Sequence, residues 1–357
     1  MNTTSSGEKV TLNDIAHAAG VSKATASKAL NGRKDVSQAT RERVLAACEE
    51  LGYSRRHAAP SPTAGPGSQR PTIALVADNL ETTYSLEVLK GASTAAMRLG
   101  ADLLLFHSSF SEDERPDPEP LTRAWVDLIA SRGAVGVITL TSPSSAELDR
   151  RLCTARLSHV AIDPASPPAP GSESIGATNW NGGVEATRHL LALGHSRIAY
   201  IDGPENSVPN HERREGYISA LRIAGVEYRP DLVDGGAFSY ENGRDAGRRL
   251  LGRSSDERPT AIFAANDVNA IGVYEAARQL GIRIPYDLSV IGFDDTDLAR
   301  WATPRLTTVH QPLLEMGARA VSAILSTTNG DRALGAGPIE LRTRLVVRDS
   351  TARAPKD

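Results

Sequence analysis

The chain has 357 residues, 40% apolar and 23% charged, the mix of a globular protein with length for one to three domains. Two cysteines far apart, Cys48 and Cys153, argue against a disulfide framework or a structural zinc site and fit a reducing cytosol; the polar start Met1–Lys9 and the lack of any long apolar run argue against secretion and a membrane span, so the expected location is cytoplasmic. The net charge of −3 hides an asymmetry: residues 1–60 hold nine Lys/Arg against six Asp/Glu and the remainder 31 against 37, a basic head on an acidic body suited to a polyanionic partner.

Three short helical patterns open the chain. Thr11 precedes Leu12, Ile15 and Ala16, with Asp14 three residues on, a capping-box-like start that Gly20 stops. Ser22 caps a second helix, Lys23 to Leu30, ended by Asn31-Gly32. Ser37 caps a third, with Val44, Leu45, Cys48 and Leu51 on one face. Two short helices joined through a glycine-containing turn form a helix-turn-helix, whose second helix enters the DNA major groove with its N-terminal residues against base edges. Those residues are Lys23, Ala24, Thr25 and, one turn on, Lys28. Lysine donates to guanine O6 and N7, and Ala24 suits a thymine methyl. Ser22, Thr25, Ser27 and Asn31 are short donors suited to phosphate oxygens. The competing reading is ordinary caps and exposed lysines on a small helical bundle.

His57 to Pro71 is rich in Pro, Gly, Ser and Ala and reads as a linker. From Thr72 strands and helices alternate, with apolar strand runs at Ile73–Ala77, Asp102–Phe106, Val135–Thr139, His159–Ile162, Arg197–Ile201, Thr260–Ala264 and Leu288–Gly292. This predicts an α/β fold of mainly parallel sheets, long enough for two doubly wound units. The Pro/Ser-rich stretch Pro164 to Ser174 is the expected crossing between the halves.

Open α/β sheets bind ligands beyond the carboxyl ends of their strands. Asn266 and Asp267 follow one strand run, Asp294 and Asp295 another. Arg213, Asn266 and Asp294 offer a donor fork, an amide and a carboxylate, a set suited to sugar hydroxyls. Tyr84, Phe238 and Trp301 are flat rings suited to the C–H face of a sugar or a base, with core or rim packing as the competing reading. For Arg213 and Asp294 the competing reading is an ion pair between the halves. Asp163 and Asn179 are further candidates that also fit as turn caps; Asp267 and Asp295 fit as braces. The first strand of the body runs into Asp78-Asn79-Leu80-Glu81 rather than a glycine-rich phosphate loop, and no G-x-S-x-G, H-E-x-x-H or paired-cysteine motif occurs, so neither catalysis, a cofactor nor a metal is expected.

The D-I-A…A-G-V-S…T-x-S…L-N-G…V-S…T-R-x-R-V…L-G-Y frame, ending at Tyr53, resembles the head of the lactose-repressor (LacI/GalR) family. The resemblance continues through A-T-N-W-N-G-G (177–183), L-G-H-S-R-I-A-Y-I-D-G-P (193–204), R-R-E-G-Y (213–217), A-A-N-D (264–267), V-I-G-F-D-D (290–295) and P-R-L-T-T-V (304–309). It implies a DNA-binding head at 9–56, a hinge linker at 57–71, and an effector-binding and dimerisation domain at 72–348. That domain would be a periplasmic-binding-protein-like core of two doubly wound parallel-sheet subdomains, with crossovers near 175–179, 308–313 and 337–342. Lys23, Ala24 and Lys28 then fall on base-reading positions. Leu12, Ser22, Thr25, Ser27, Asn31 and Ser37 fall at backbone-facing or framework positions. Arg213, Asn266 and Asp294 fall on the central effector positions.

The implied function is a repressor released from double-stranded palindromic operator DNA by a small saccharide. It would act as a homodimer packed through the faces of both subdomains, with helix Leu313–Leu325 contributing to one. The alternatives are corepression by a purine-like ligand, a soluble sugar-binding protein without DNA function, and a sugar-processing enzyme. One stretch departs from the family. Where a hinge helix would present a leucine wedge to the minor groove stands Pro62, and Pro60 and Pro62 oppose helix continuation. Arg55 and Arg56 suit phosphate or minor-groove contacts, or a solvated basic linker.

Overall fold

A computed structural model describes residues 16–30, 37, 40, 43–44, 47, 70–107, 123–328 and 337–355, the side chains of 24, 27, 28 and 30 excepted. The chain divides into two compact units between Thr63 and Ala64.

In the first unit, helix α1 spans Lys23–Leu30, the bounds its cap and stop residues predict. Ser22 accepts a hydrogen bond from Thr25 N–H at 3.0 Å, and Ser37 from Thr40 N–H at 3.2 Å, so both hydroxyls close helix N-termini. Gly20 takes φ +64, the left-handed turn before the second helix. Ala16, Ala19, Ala26, Ala29, Val44 and Ala47 form a small core of mostly methyl-sized side chains. Lys23 and Ser22 are exposed, away from that core. Leu12, Asn31, Arg55, Arg56 and the prolines at 60 and 62 lie outside the described residues, as do the side chains of Ala24, Ser27 and Lys28.

The second unit holds two six-stranded sheets, ordered β11-β5-β4-β3-β1-β2 and β12-β10-β9-β8-β6-β7. In the first, β1 (Thr72–Ala77), β2 (Asp102–His107), β3 (Ala134–Leu140), β4 (Ser158–Ile162), β5 (Ser174–Ala177) and β11 (Pro338–Leu341) all run parallel. In the second, β6 (Ile198–Asp202), β7 (Val233–Gly235), β8 (Ala261–Ala264), β9 (Ser289–Asp294) and β10 (Thr307–His310) are parallel, and β12 (Arg344–Val346) pairs antiparallel with β10. Alternation along β1 sends Ile73 and Leu75 to one face, with Ile138, Leu140, Met316 and Ile324, and Ala74 and Val76 to the other, with Ile129, Val137 and Leu152. Each large apolar side chain so buried contributes about 1.5–3 kcal/mol relative to exposure.

The chain passes between the sheets after β5, after β10 and after β11. Pro164–Ser174 is therefore not the crossing expected of it: it joins β4 to β5, neighbours in the first sheet, and the chain changes sheet only after Ala177. Proline and serine mark a loop but carry no information about which sheet receives the next strand.

Three helix pairs flank the sheets, and each is notched by two glycines. Helices α2 (Thr83–Leu99) and α10 (Leu313–Thr328) meet where a Cβ on Gly91 would lie 2.1 Å from Leu314 O, and one on Gly317 2.1 Å from Val88 O. The same reciprocal approach joins α5 (Asn179–Ala192) to α6 (Val208–Ile223) at Gly183 and Gly216, and α7 (Tyr240–Leu251) to α8 (Asp267–Gln279) at Gly243 and Gly272. Only a residue without Cβ allows backbones this close. The inner face of α10 buries Leu313, Met316, Ala320, Val321 and Ile324 within its own chain, leaving Leu314 as its exposed large apolar residue.

Beyond β12 the chain straps across the second half. Val290 N–H donates to Ser350 O at 2.9 Å, and Ala354 N–H donates to Leu193 O at 2.9 Å. His195 lies 2.9 Å from Thr260 Oγ1 on one ring nitrogen, and 2.9 Å from Ser289 Oγ and 3.1 Å from Ala352 O on the other. His189 reaches Thr351 Oγ1 at 3.0 Å.

Candidate functional site

A cavity of about 480 Å³ lies between the carboxyl ends of the two sheets. Asp78 after β1, Thr141 after β3 and Asp163 after β4 line it from the first half; Asn266 after β8 and Asp294 at the end of β9 line it from the second. Tyr84, at the start of α2, Arg213, on α6, and Phe238, before α7, also line it.

Arg213 is buried and fixed on three sides. Its Nε donates to Asn179 Oδ1 at 2.9 Å, its Nη1 donates to Ala265 O at 2.7 Å, and its guanidinium stacks 3.8 Å above the Phe293 ring. The same Nη1 stands 3.7 Å from Asp294 Oδ1. Arg213 and Asp294 both belong to the second half, so their ion pair does not bridge the halves as the competing reading expected; it lies within one half, on the cavity wall. The glycine notch between α5 and α6 brings Asn179 within reach of Arg213.

Asp294 takes φ +108 and Asp163 φ +42, backbone that L side chains seldom adopt. Gln311 Nε2 donates to Asp294 Oδ1 at 2.6 Å. Tyr84 OH donates to Asp163 Oδ2 at 2.7 Å, while Asp163 Oδ1 is buried and unpartnered among the described residues. Burial raises the pKa of Asp163 and Asp294; for Asp294, Arg213 and Gln311 oppose the rise and the Asp163 charge adds to it. Asp267 lies beneath, accepting from Thr296 N–H (2.8 Å), Thr296 Oγ1 (3.0 Å) and Thr308 Oγ1 (2.6 Å). Burial, then the nearby Asp294 charge, raises its pKa too. Burial also raises Asp78, which Thr141 partly offsets by hydrogen bonding to it. Three carboxyl groups, Asp78, Asp163 and Asp294, share the cavity wall with one guanidinium, Arg213, so the wall carries more carboxyl oxygens than cationic donors.

Six of the seven sequence candidates come together here: Tyr84, Asp163, Arg213, Phe238, Asn266 and Asp294. Trp301 does not. It ends the short helix Asp297–Trp301, 71% exposed and off the cavity wall, because that turn of helix points it outward. Asn179 is buried behind Arg213 and braces it; Asp267 and Asp295 also brace, the latter with His310 Nδ1 at 3.0 Å and with Arg348. Asn266 is half-committed: its Oδ1 caps α8 by accepting from Asn269 N–H at 2.8 Å, while the residue lines the cavity. Asp78 and Thr141 were missed, though the strand-end rule that selects Asp294 selects them equally. Gln311 carries no sequence signal.

Residues 11–56 match the family described as bacterial regulatory proteins, lacI family, and residues 187–351 match the periplasmic binding protein-like domain. The chain is 35% identical to the HTH-type transcriptional regulator DegA of Bacillus subtilis (strain 168), over 96% of this chain and 98% of DegA. In structure it is similar to the transcriptional regulator CelR in complex with cellobiose, with a TM-score of 0.70 and 31% identity, covering 96% of this chain and 100% of that one. It is also similar to the lac repressor dimer bound to operator and the anti-inducer ONPF, with a TM-score of 0.69 and 28% identity, covering 97% and 100%.

Proposed function

Because this chain belongs to the lacI family of bacterial regulatory proteins and is a DNA-binding transcriptional regulator with a small-molecule effector, we propose that the cavity between its sheets is the effector site, and that a neutral saccharide filling it releases a dimer from a palindromic operator. The observation that carries this reading is the buried Arg213–Asp294 pair, 3.7 Å apart, flanked by the Asn266 amide and by acceptors from the opposite half. Hydroxyl groups both donate and accept, and an acceptor-rich wall with one fixed guanidinium matches them; it disfavours phosphorylated or carboxylated ligands by charge. Tyr84 and Phe238 supply flat faces for the sugar ring. CelR, solved with cellobiose, supports the ligand class, and the lac repressor dimer on its operator supports the assembly.

The mechanism is a two-state coupling. A ligand held by both halves favours one rotation between them, and the DNA-binding heads follow through residues 57–71. Such coupling is typically about 1–3 kcal/mol. Lys23, Ala24, Thr25 and Lys28 read bases, with Ser22, Ser27, Asn31, Ser37, Arg55 and Arg56 on the backbone. The protein works where the chromosome is, in the cytoplasm, and no step of its work requires catalysis. Large apolar side chains left in solvent, Met97, Tyr286 and Trp301 among them, suit burial against a second copy.

The test is selection of bound sequences from a random DNA pool, followed by re-binding with a panel of neutral and phosphorylated sugars. A palindrome released by a neutral sugar is the expected result. Release by a phosphorylated sugar or a purine alone overturns the ligand class, and no enrichment at low salt overturns the regulator reading.

A further inference from the structure

Gln311 takes no part in the cavity wall, yet it holds the residue that does. It sits in the second crossing between the sheets, between β10 and α10, and is 1% exposed. Its Nε2 donates to Asp294 Oδ1 at 2.6 Å and its backbone N–H donates to Asp294 O at 3.3 Å. Arg213 approaches the same Oδ1, while Asp294 Oδ2 makes no hydrogen bond among the described residues and is the oxygen left for a ligand. Asp294 keeps its left-handed backbone under these two clamps. The Gln311 Oε1, by contrast, is buried with no partner among the described residues. A buried amide oxygen without a partner is unfavourable, so a shift of the crossing that gave Oε1 a donor would be favoured.

We propose that Gln311 is a positioning residue that orients the Asp294 carboxylate for the effector and carries occupancy of Asp294 into the second crossing, and so into the rotation between the two halves. This rests on the reading of the cavity as the effector site. Charged and titratable groups near Asp294 and Gln311 are Arg213 on α6, Asp163 after β4, Asp267 on α8, Tyr84 on α2, and the adjoining Asp295 with its partners His310 and Arg348. Gln311 is the neighbour of Asp294 that belongs to a crossing.

The test uses the full chain, its selected operator, and cellobiose and D-ribose as probes. One probe is expected to weaken operator binding by the wild type. Gln311→Met should melt within a few degrees of wild type and yet cut that response by about fivefold or more. Gln311→Glu separates hydrogen bonding from packing: it keeps the shape, and in acid shares a proton with Asp294, so its response should return at about pH 6 and vanish at about pH 8 relative to wild type. A full response in Gln311→Met, or a pH-indifferent Gln311→Glu, overturns the proposal and leaves the effector site standing. Where neither probe moves the wild type, operator affinity without ligand decides. Gln311→Met and Asp294→Asn should shift it by the same factor and the double variant no further; additive factors overturn the proposal. A probe response untouched by Asp294→Asn overturns the effector-site reading itself, and this proposal with it.

Discussion

Arg213 is built into its place before any ligand arrives. Asn179, Ala265 and the Phe293 ring fix its guanidinium, so in the proposed site its orientation is set before binding. Arg213→Ala leaves Asp294 and Asp163 buried without their cation, and should lower unfolding free energy by about 3–5 kcal/mol while abolishing the sugar response, as read by urea unfolding and operator titration. Lys23→Ala should relax base preference at one operator position, a loss of about 1–3 kcal/mol visible in a repeated sequence selection. Arg213, Asn266 and Asp294 were legible in the sequence because carboxyl ends of strands and the family motifs point to the same residues. The Trp301 expectation failed because closeness in sequence to a strand end says nothing about the direction a following helix turns. Asn266 shows a subtler limit, since only geometry reveals that a helix cap already occupies half of its amide.

The paired glycines make the helices of the second unit interlock by backbone rather than by side chain. Gly317→Ala sets a Cβ against Val88 O at 2.1 Å, and should destabilise by about 1–3 kcal/mol or more, measured as a lowered urea midpoint; Gly225→Ala, at an open turn, tests a different penalty, that of φ +70 alone. The C-terminal strap gives a pH-dependent element. Burial lowers the pKa of His195, and of His189, so both sit neutral in the fold. A depressed histidine contributes stability that is fully present above its unfolded value of about 6.5 and is lost as pH falls below it toward the folded value. The buried acids have the opposite sign, their contribution declining as pH rises. Comparison of wild type with His195→Gln isolates the histidine: the variant should show a shallower fall in stability on acidification, and an unchanged slope would refute the assignment. The strands made of unbroken apolar runs were legible, even β8 with only four residues, but β5, β7, β10, β11 and β12 span three or four residues interrupted by polar residues, glycine or proline, too few for a period to register.

Over the whole molecule, DNA and ligand must answer to one coupling. If a sugar weakens operator binding by some factor, operator must weaken sugar binding by the same factor, a reciprocity that calorimetry on the free and DNA-bound protein checks directly. Operator affinity should also fall steeply with salt while sugar affinity holds nearly constant, because the head releases counterions from the phosphate backbone and a neutral sugar releases none.

The threading of the chain through both sheets bears on how the protein is made. The first sheet opens at Thr72, but its covering helix α10 and its edge strand β11 arrive only at residues 313–341; the second closes with β12 and the strap at residues 344–355. A ribosome therefore releases both halves unfinished, with the apolar face that α10 will cover exposed until nearly the last of the chain has been made. Neither half is one contiguous stretch of the chain.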